Sequence, residues 1–312
     1  MSIAEQTDRT KLVVITGPTG VGKTETALAL AGGFGAEIVS ADSMQVYRYL
    51  DIGTAKPTAA ERQRVPHHLI DCVDPDEEFN AARFREEADP VIAAVAGRGG
   101  NIFVVGGTGL YIRVLLGGLL PGPGADTARR DHYRTLMNRN GRHHLHALLK
   151  SRDPAAAGVI AANDTVRIIR ALEYLDNTGQ SITERQAVHR FGEKRYTALL
   201  IGLTAEREEL HARIVRRADT MLAAGLVEET RSVLARGFPE NLKPLQALGY
   251  KHICAYLHGR LSLAEARELM IRDTRRYAKR QLTWFRKEKD LIWHPRNEEE
   301  KIAARIRDFL AG

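Results

Sequence analysis

The run Lys11-Leu12-Val13-Val14-Ile15-Thr16, followed at once by Gly17-Pro18-Thr19-Gly20-Val21-Gly22-Lys23-Thr24, decides the fold. Its first half is a short, unbroken apolar segment rich in β-branched residues, the pattern of a strand buried on both faces of a parallel sheet. Its second half fits G-x-x-x-x-G-K-[ST], and Thr24 to Ala31 behind it reads as a helix that ends at Gly32-Gly33. Strand, glycine-rich loop and helix in that order make a phosphate cradle. The loop amides turn inward around an anion, and the helix N-terminus adds positive potential. Lys23 supplies a mobile charge, and the Thr24 hydroxyl is suited to ligate Mg²⁺. The motif specifies a diphosphate or triphosphate without saying which.

Working outward, Glu37–Ala41, Leu69–Val73, Ile102–Val105 and Thr197–Leu203 read as further strands, and Ala81–Ala96 as a helix stopped by Gly97. Strands alternating with helices predict an α/β fold, a P-loop NTPase-like parallel sheet. The rhythm breaks at Gly117-Gly118-Leu119-Leu120-Pro121-Gly122-Pro123-Gly124, a linker or hinge. From Asp126 to about Arg190 only helical patterns occur. Asp164 can cap a helix carrying Val166, Ile169, Leu172 and Leu175, with Gly179 just past its end. The expected organisation is a core from residues 1–120, an all-helical insertion over 121–195, and a mostly helical return to the core over 196–312.

Composition narrows the function classes. The chain has 312 residues, 44% hydrophobic and 27% charged, which fits a globular protein. No apolar run approaches the ~20 residues of a membrane helix, and Met1–Thr10 is too polar for a secretory leader. Cys72 and Cys254 belong to no CxxC, which argues against a zinc finger or a disulfide framework and for the cytoplasm. Net charge is +7, and it is concentrated. Residues 121–195 carry 13 Lys/Arg against 8 Asp/Glu, and residues 274–287 carry 6 Lys/Arg and no acid. Such clustering suggests an acidic partner.

Asp42, after the second strand, lies at the sheet edge where α/β proteins bind ligands. Its carboxylate can act as a general base or cap a following helix, and spacing leaves both open. A nucleotide hydrolase would also supply an acid at the end of a buried strand for its metal. The strand Ile102–Val105 ends instead in Gly106-Gly107-Thr108-Gly109, leaving Asp71 as the substitute. His132, His143, His144 and His146 cluster, but adjacent His143 and His144 point to different sides of a helix, which favours solvent or RNA contact over a metal site, and the pair His67-His68 reads as structural or as the edge of a substrate pocket. In 274–287, Ala278, Leu282 and Phe285 form a stripe that should pack on the core, and Arg276, Arg280 and Lys287 occupy another face.

Taken together, Gly17–Thr24, Asp42-Ser43-Met44-Gln45-Val46-Tyr47-Arg48, Asp51-Ile52-Gly53-Thr54-Ala55-Lys56-Pro57, Pro66-His67-His68-Leu69-Ile70-Asp71, Gly106–Tyr111, Asn163-Asp164 with Arg167–Glu173, Gly249-Tyr250-Lys251 and Thr274–Gln281 with Trp284-Phe285-Arg286 closely resemble the tRNA dimethylallyltransferase family. The resemblance runs from about residue 12 to residue 287. It implies transfer of a dimethylallyl group from dimethylallyl diphosphate to N6 of the adenosine 3′ to the anticodon, at tRNA position 37. Asp42 matches the family's general base, with Lys23, Thr24 and Mg²⁺ at the leaving diphosphate. Gly17, Pro18, Thr19, Gly20, Val21, Gly22, Lys23, Thr24 and Arg217 would bind that diphosphate.

Asp42, Ser43, Met44 and Gln45, with Gln45 bonded to the target base, fall in the family's tRNA-contacting segment. So do Thr108, Arg130, Val166, Arg167, Ile168, Ile169 and Arg170, and Ala247, Leu248, Gly249, Tyr250, Lys251 and His252. His252 stands where the family often has Glu or Gln, and the zinc finger that eukaryotic members often append is absent from this sequence. The expected protein is a cytoplasmic monomer that uses Mg²⁺, dimethylallyl diphosphate and the tRNA anticodon stem-loop, with no membrane partner. The competing readings are a small-molecule P-loop kinase, an adenylate isopentenyltransferase and an RNA-binding protein with a vestigial P-loop.

Overall fold

The structure, a computed structural model, describes residues 9–312, so most of Met1–Thr10 lies outside the described residues. The chain divides into two compact units, residues up to Leu116 with Arg195–Gly312, and Gly117–Lys194. The helical unit thus begins a few residues before the expected 121 and ends one before the expected 195.

The first unit begins with β1 (Lys11–Thr16), α1 (Lys23–Gly33), β2 (Ala36–Ser40), α2 (Ala59–Arg64) and β3 (His67–His68), then α3 (Ala81–Gly97), β4 (Asn101–Val105) and α4 (Gly109–Gly117). The helical unit holds α5 (Thr127–Asn140), α6 (Arg142–Arg152), α7 (Pro154–Val159), α8 (Thr165–Thr178) and α9 (Ile182–His189). The core resumes with β5 (Thr197–Thr204), α10 (Arg207–Ala223), α11 (Leu226–Ala235), α12 (Tyr250–Leu257), α13 (Leu263–Phe285), β6 (Leu291–Pro295) and α14 (Glu299–Ala311).

The strands form one sheet in the order β3-β2-β4-β1-β5-β6, parallel throughout. β1 lies inside it, between β4 and β5, with Leu12, Val13, Val14 and Ile15 fully buried. A parallel sheet covered by helices on both faces needs such unbroken apolar strands.

Two strand expectations need correction. The third strand is His67–His68 rather than Leu69–Val73. Leu69 and Asp71 have φ of 60° and 56°, which ends the strand, and Val73 makes only an isolated bridge to Tyr47. β6 was not expected at all, because Leu291-Ile292-Trp293-His294-Pro295 is a short edge strand ending in proline. Among the described residues, no helix is long and apolar enough to cross a membrane.

The helical unit has its own core, built from Tyr133, Leu145, Leu149, Ile160, Ile168, Leu172 and Tyr174 among others. Asp164 accepts the Arg167 amide and Gly179 closes α8 in the left-handed conformation, so both ends of that helix are as read. Val166 departs from the expected buried stripe. It stands in the first turn beyond the cap, 77% exposed, while Ile168 and Ile169 turn inward. Inside this unit lies the Glu173 carboxylate, with no exposed surface, which accepts hydrogen bonds from the Asp126 amide, Arg130 and Arg170.

Candidate active site

Two cavities open side by side in the first unit. The larger, about 560 Å³, is bounded by Thr19, Gly20, Gly22, Lys23 and Thr24 of the glycine-rich loop and by Arg213, Arg216 and Arg217 of α10. The sequence shapes this cavity locally. Gly17, Gly20 and Gly22 take φ of 142°, 83° and 105°, and a Cβ on Gly17 would lie 2.6 Å from the Leu203 oxygen. Lys23 Nζ donates to the Gly17 and Pro18 oxygens. Removal from water lowers its pKa to about 8, against an opposing pull from Asp42, and Arg217 lowers it further. Burial likewise lowers the pKa of Arg217, against the opposing charges of Asp42 and Glu25. Arg213 holds the loop from outside, donating from Nε to Gly20 O at 2.7 Å. The cavity is thus a cationic one that an anion completes.

The second cavity, about 350 Å³, is less polar. One side is the segment Gln246–Lys251, another is Ile214, Ala218, Met221 and Met270, and the third is Asp42–Met44 with Gly53-Thr54. Thr19, Asp42, Thr54, Arg217 and Tyr277 line both cavities and form the waist between them. Asp42 therefore faces the cationic cavity and the apolar one at once. Its Oδ1 accepts the Met44 amide at 2.8 Å and the Gln45 amide at 3.3 Å, and among the described residues nothing donates to Oδ2. It caps a turn rather than a helix, because residues 43–46 form turns and Tyr47 then bridges to Val73. One oxygen fixes the loop, and the other has no hydrogen-bond donor among the described residues. Thr108 supports the same loop by accepting the Ser43 amide on Oγ1 at 3.0 Å.

The expected residues fall in different places. Thr19, Gly20, Gly22, Lys23 and Thr24 of the loop, with Asp42, Ser43, Met44, Arg217 and Ala247–Lys251, come together around the two cavities, whereas Gly17, Pro18 and the fully buried Val21 line neither. His252 does not join them. It is buried, with Nε2 3.2 Å from Asp273 Oδ2, one residue past the cavity wall. Gln45 is 9% exposed and its amide is already engaged. Oε1 accepts from Ser40, and Nε2 donates to the Thr54 and Ala55 oxygens. In this state it builds the wall instead of offering a free edge to a base. Arg130, Val166, Arg167, Ile168, Ile169 and Arg170 belong to the helical unit. Arg130 and Arg170 are half-buried against Glu173, Arg167 is exposed beside Asp164, and Ile168 is fully buried, so its side chain has no outward face.

The substitute metal acid also fails. Asp71 is bound by Lys56 and Arg62, and it lines neither cavity. Directly after β4, a Cβ on Gly106 would stand 2.1 Å from the Ala41 backbone oxygen, so no acidic side chain fits there. Among the described residues no group of three His, Cys, Asp or Glu is arranged to hold a metal. His67 bonds Val65 O and His68 bonds Glu37, so that pair is structural.

Sequence reasoning overlooked one face of α13. It separated an apolar stripe, where Ala278 and Phe285 are indeed buried, from a basic face. Between them Met270, Thr274, Tyr277 and Gln281 recur at helical spacing and line the cavities. Their mixed polarity hid the stripe, although the spacing i, i+4, i+7, i+11 was present. Burial, with Asp42 adding to it, pushes the Tyr277 phenol up to about 12, so it remains a neutral donor.

Comparison with known proteins adds the following. A family model described as IPP transferase matches residues 45–288, and one described as isopentenyl transferase matches residues 10–72. The chain is 53% identical over 305 residues to tRNA dimethylallyltransferase 2 of Syntrophus aciditrophicus, covering 98% of each chain. Among solved structures it resembles the tRNA isopentenylpyrophosphate transferase of Bacillus halodurans, with a TM-score of 0.71 and 42% identity, covering 96% of this chain and 97% of that one. It also resembles a eukaryotic dimethylallyltransferase acting on tRNA, with a TM-score of 0.81 and 27% identity over 97% of this chain and 80% of that one.

Proposed function

The chain belongs to the IPP transferase family, and from that membership we propose that it transfers a dimethylallyl group from dimethylallyl diphosphate to N6 of the adenosine 3′ to the anticodon, at tRNA position 37. The observation that carries this reading is the position of Asp42, with Oδ2 free, in the waist between a cationic cavity and a less polar one. A diphosphate leaving group belongs in the first cavity. The acceptor base and the five carbons belong in the second, the carbons against Ile214, Met221 and Met270.

The step requires no hydrolytic water. The N6 lone pair attacks C1, the C1–O bond breaks, and the diphosphate leaves with the electron pair. Asp42 takes the N6 proton. The loop amides, Lys23 and Arg217 stabilise the charge that develops on the departing oxygen. Mg²⁺ fits this site because Thr24 lines the cationic cavity, and a hard cation with few protein ligands takes the rest from phosphate oxygens and water. When bound, it adds positive charge at the leaving group. The base must first leave the anticodon loop stack, at a cost of a few kcal/mol. We assign the exposed Val166 and Arg167 of the helical unit, with the half-buried Arg130 and Arg170, to holding that loop. A cytoplasmic monomer suffices for this chemistry.

The test is one incubation series with labelled dimethylallyl diphosphate and Mg²⁺, without ATP, offering unmodified tRNA or AMP. Label in tRNA alone is the expected outcome. Label in AMP moves the acceptor to the free nucleotide, and no transfer to either returns the glycine-rich loop to ATP and a kinase.

A further inference from the structure

Glu229, on α11, lines neither cavity, and yet it joins two walls of the acceptor cavity. Its Oε2 accepts the amides of Asp51 at 2.9 Å and Ile52 at 2.8 Å. Its Oε1 accepts the Gly53 amide at 3.2 Å and the Tyr250 hydroxyl at 2.6 Å. Three successive amides converging on one carboxylate form a nest that an anion fills. The Gly53 amide also reaches the Tyr250 oxygen at 3.1 Å. A side chain at Gly53 is excluded, since its Cβ would lie 2.5 Å from the Tyr250 ring. Burial, reinforced by the Glu229 charge, holds the Tyr250 phenol neutral, so it can only donate to the carboxylate.

The loop that Glu229 grips is stiff. Lys56, almost wholly buried, donates to Tyr47 O and pairs with Asp51 and Asp71, and Thr54 Oγ1 donates to Leu50 O. At its far end the Thr54 and Ala55 oxygens accept from Gln45, whose own amide is bound by Asp42. A continuous chain of hydrogen bonds therefore runs from Glu229 through 51–55 and Gln45 to Asp42. On its other side, Glu229 holds Tyr250, which belongs to the opposite wall, Gln246–Lys251.

We infer that Glu229 is a positioning residue for the acceptor: its carboxylate sets the distance between the Asp42–Thr54 wall and the Gln246–Lys251 wall, and so the slot into which the base enters. This rests on the transferase reading above. The chain of bonds includes Gln45, Thr54 and Ala55, which edge the donor cavity, but neither Lys23 nor Arg217, so its loss bears on the acceptor more than on the donor. Only a carboxylate offers two acceptor oxygens to all these donors. Gln has the same shape but a single acceptor, which makes Glu229→Gln a variant that removes the clamp and keeps the fold.

The test compares wild type, Glu229→Gln, Tyr250→Phe and the double variant in transfer assays, with the KM of each substrate and Tm recorded. Glu229→Gln should raise KM for tRNA by about tenfold, the loss of roughly one charge-assisted hydrogen bond, with KM for dimethylallyl diphosphate moving less than about twofold. The double variant should be no worse than the poorer single variant, because both changes break one clamp. Equal rises in both KM values with a matching fall in Tm mean a merely structural residue and overturn the inference, as do an unmoved tRNA KM or additive effects. A wild-type protein that transfers nothing to tRNA overturns the transferase reading instead.

Discussion

The side-chain oxygen of Gln281 accepts the backbone N–H of Thr19 at 2.8 Å, while its Nε2 donates to Gly107 O at 2.9 Å. One buried amide on α13 thus fixes the middle of the phosphate loop to the turn after β4. The aim of the loop amides depends on that tie. Gln281→Leu removes both bonds at nearly equal volume and leaves the Gly107 oxygen unsatisfied. Dimethylallyl diphosphate should bind about tenfold more weakly. Calorimetric titration of the diphosphate onto each protein checks this, and an unchanged Kd would show that the loop holds its shape without the amide.

Asp42→Asn separates the two tasks of Asp42. Asn keeps an oxygen for the Met44 and Gln45 amides, so the turn should stand, but it cannot take the N6 proton. Single-turnover transfer should slow by about 10²-fold or more, with tRNA affinity within about threefold of wild type. A variant that turns over normally and binds tRNA poorly would make Asp42 a binding residue only.

Lys23 carries a pH signature of its own. In the free protein burial lowers its pKa to about 8, and an arriving diphosphate raises it again by charge attraction. The charged form binds, so affinity should be level between about pH 7 and 8 and fall as pH rises above that, with a proton taken up on binding near pH 8.5. Titration calorimetry in two buffers of different ionisation enthalpy counts that proton. Lys23→Met should abolish the uptake. A wild-type affinity that does not change between pH 7 and 9.5 would rule out Lys23 as the titrating cation.

Much of this site was legible in the sequence. The glycine-rich loop and the parallel alignment of β1, β2, β4 and β5 follow from local patterns, a turn that needs glycine and apolar runs alternating with helices, while the spacing around Asp42 left a base and a helix cap both open. What was not legible depends on contacts between distant segments. Glu229 looks like an ordinary exposed acid in the first turn of α11, and only folding brings three amides and Tyr250 to it. Gln281 sits among basic neighbours, and the mixed polarity of Met270, Thr274 and Tyr277 on its face hides the helical spacing they share. The family resemblance pointed to Gln45 as a base contact and could not show that its amide is already taken by the loop at Thr54 and Ala55. Ile168 is a further case, a residue of the expected tRNA-contacting segment whose helical phase turns its side chain into the core.

The same kind of buried carboxylate holds the helical unit together. Burial alone would raise the pKa of Glu173, but Arg170, the Asp126 amide and Arg130 outweigh it, and the carboxyl lies below its ordinary 4.5. A carboxylate whose pKa is depressed on folding stabilises the folded state above its unfolded pKa, and that contribution fades as pH falls through the folded value. Glu173→Gln leaves the arginines facing a neutral amide and should cost about 2 kcal/mol at pH 7, since both arginines retain a path to water. Urea unfolding of wild type and variant should therefore differ most at neutral pH, with the gap closing below about pH 4.5 as the wild type itself takes up the proton. A gap as wide at pH 3 as at pH 7 would mean that packing around residue 173, and not its charge, supports α5 against α8.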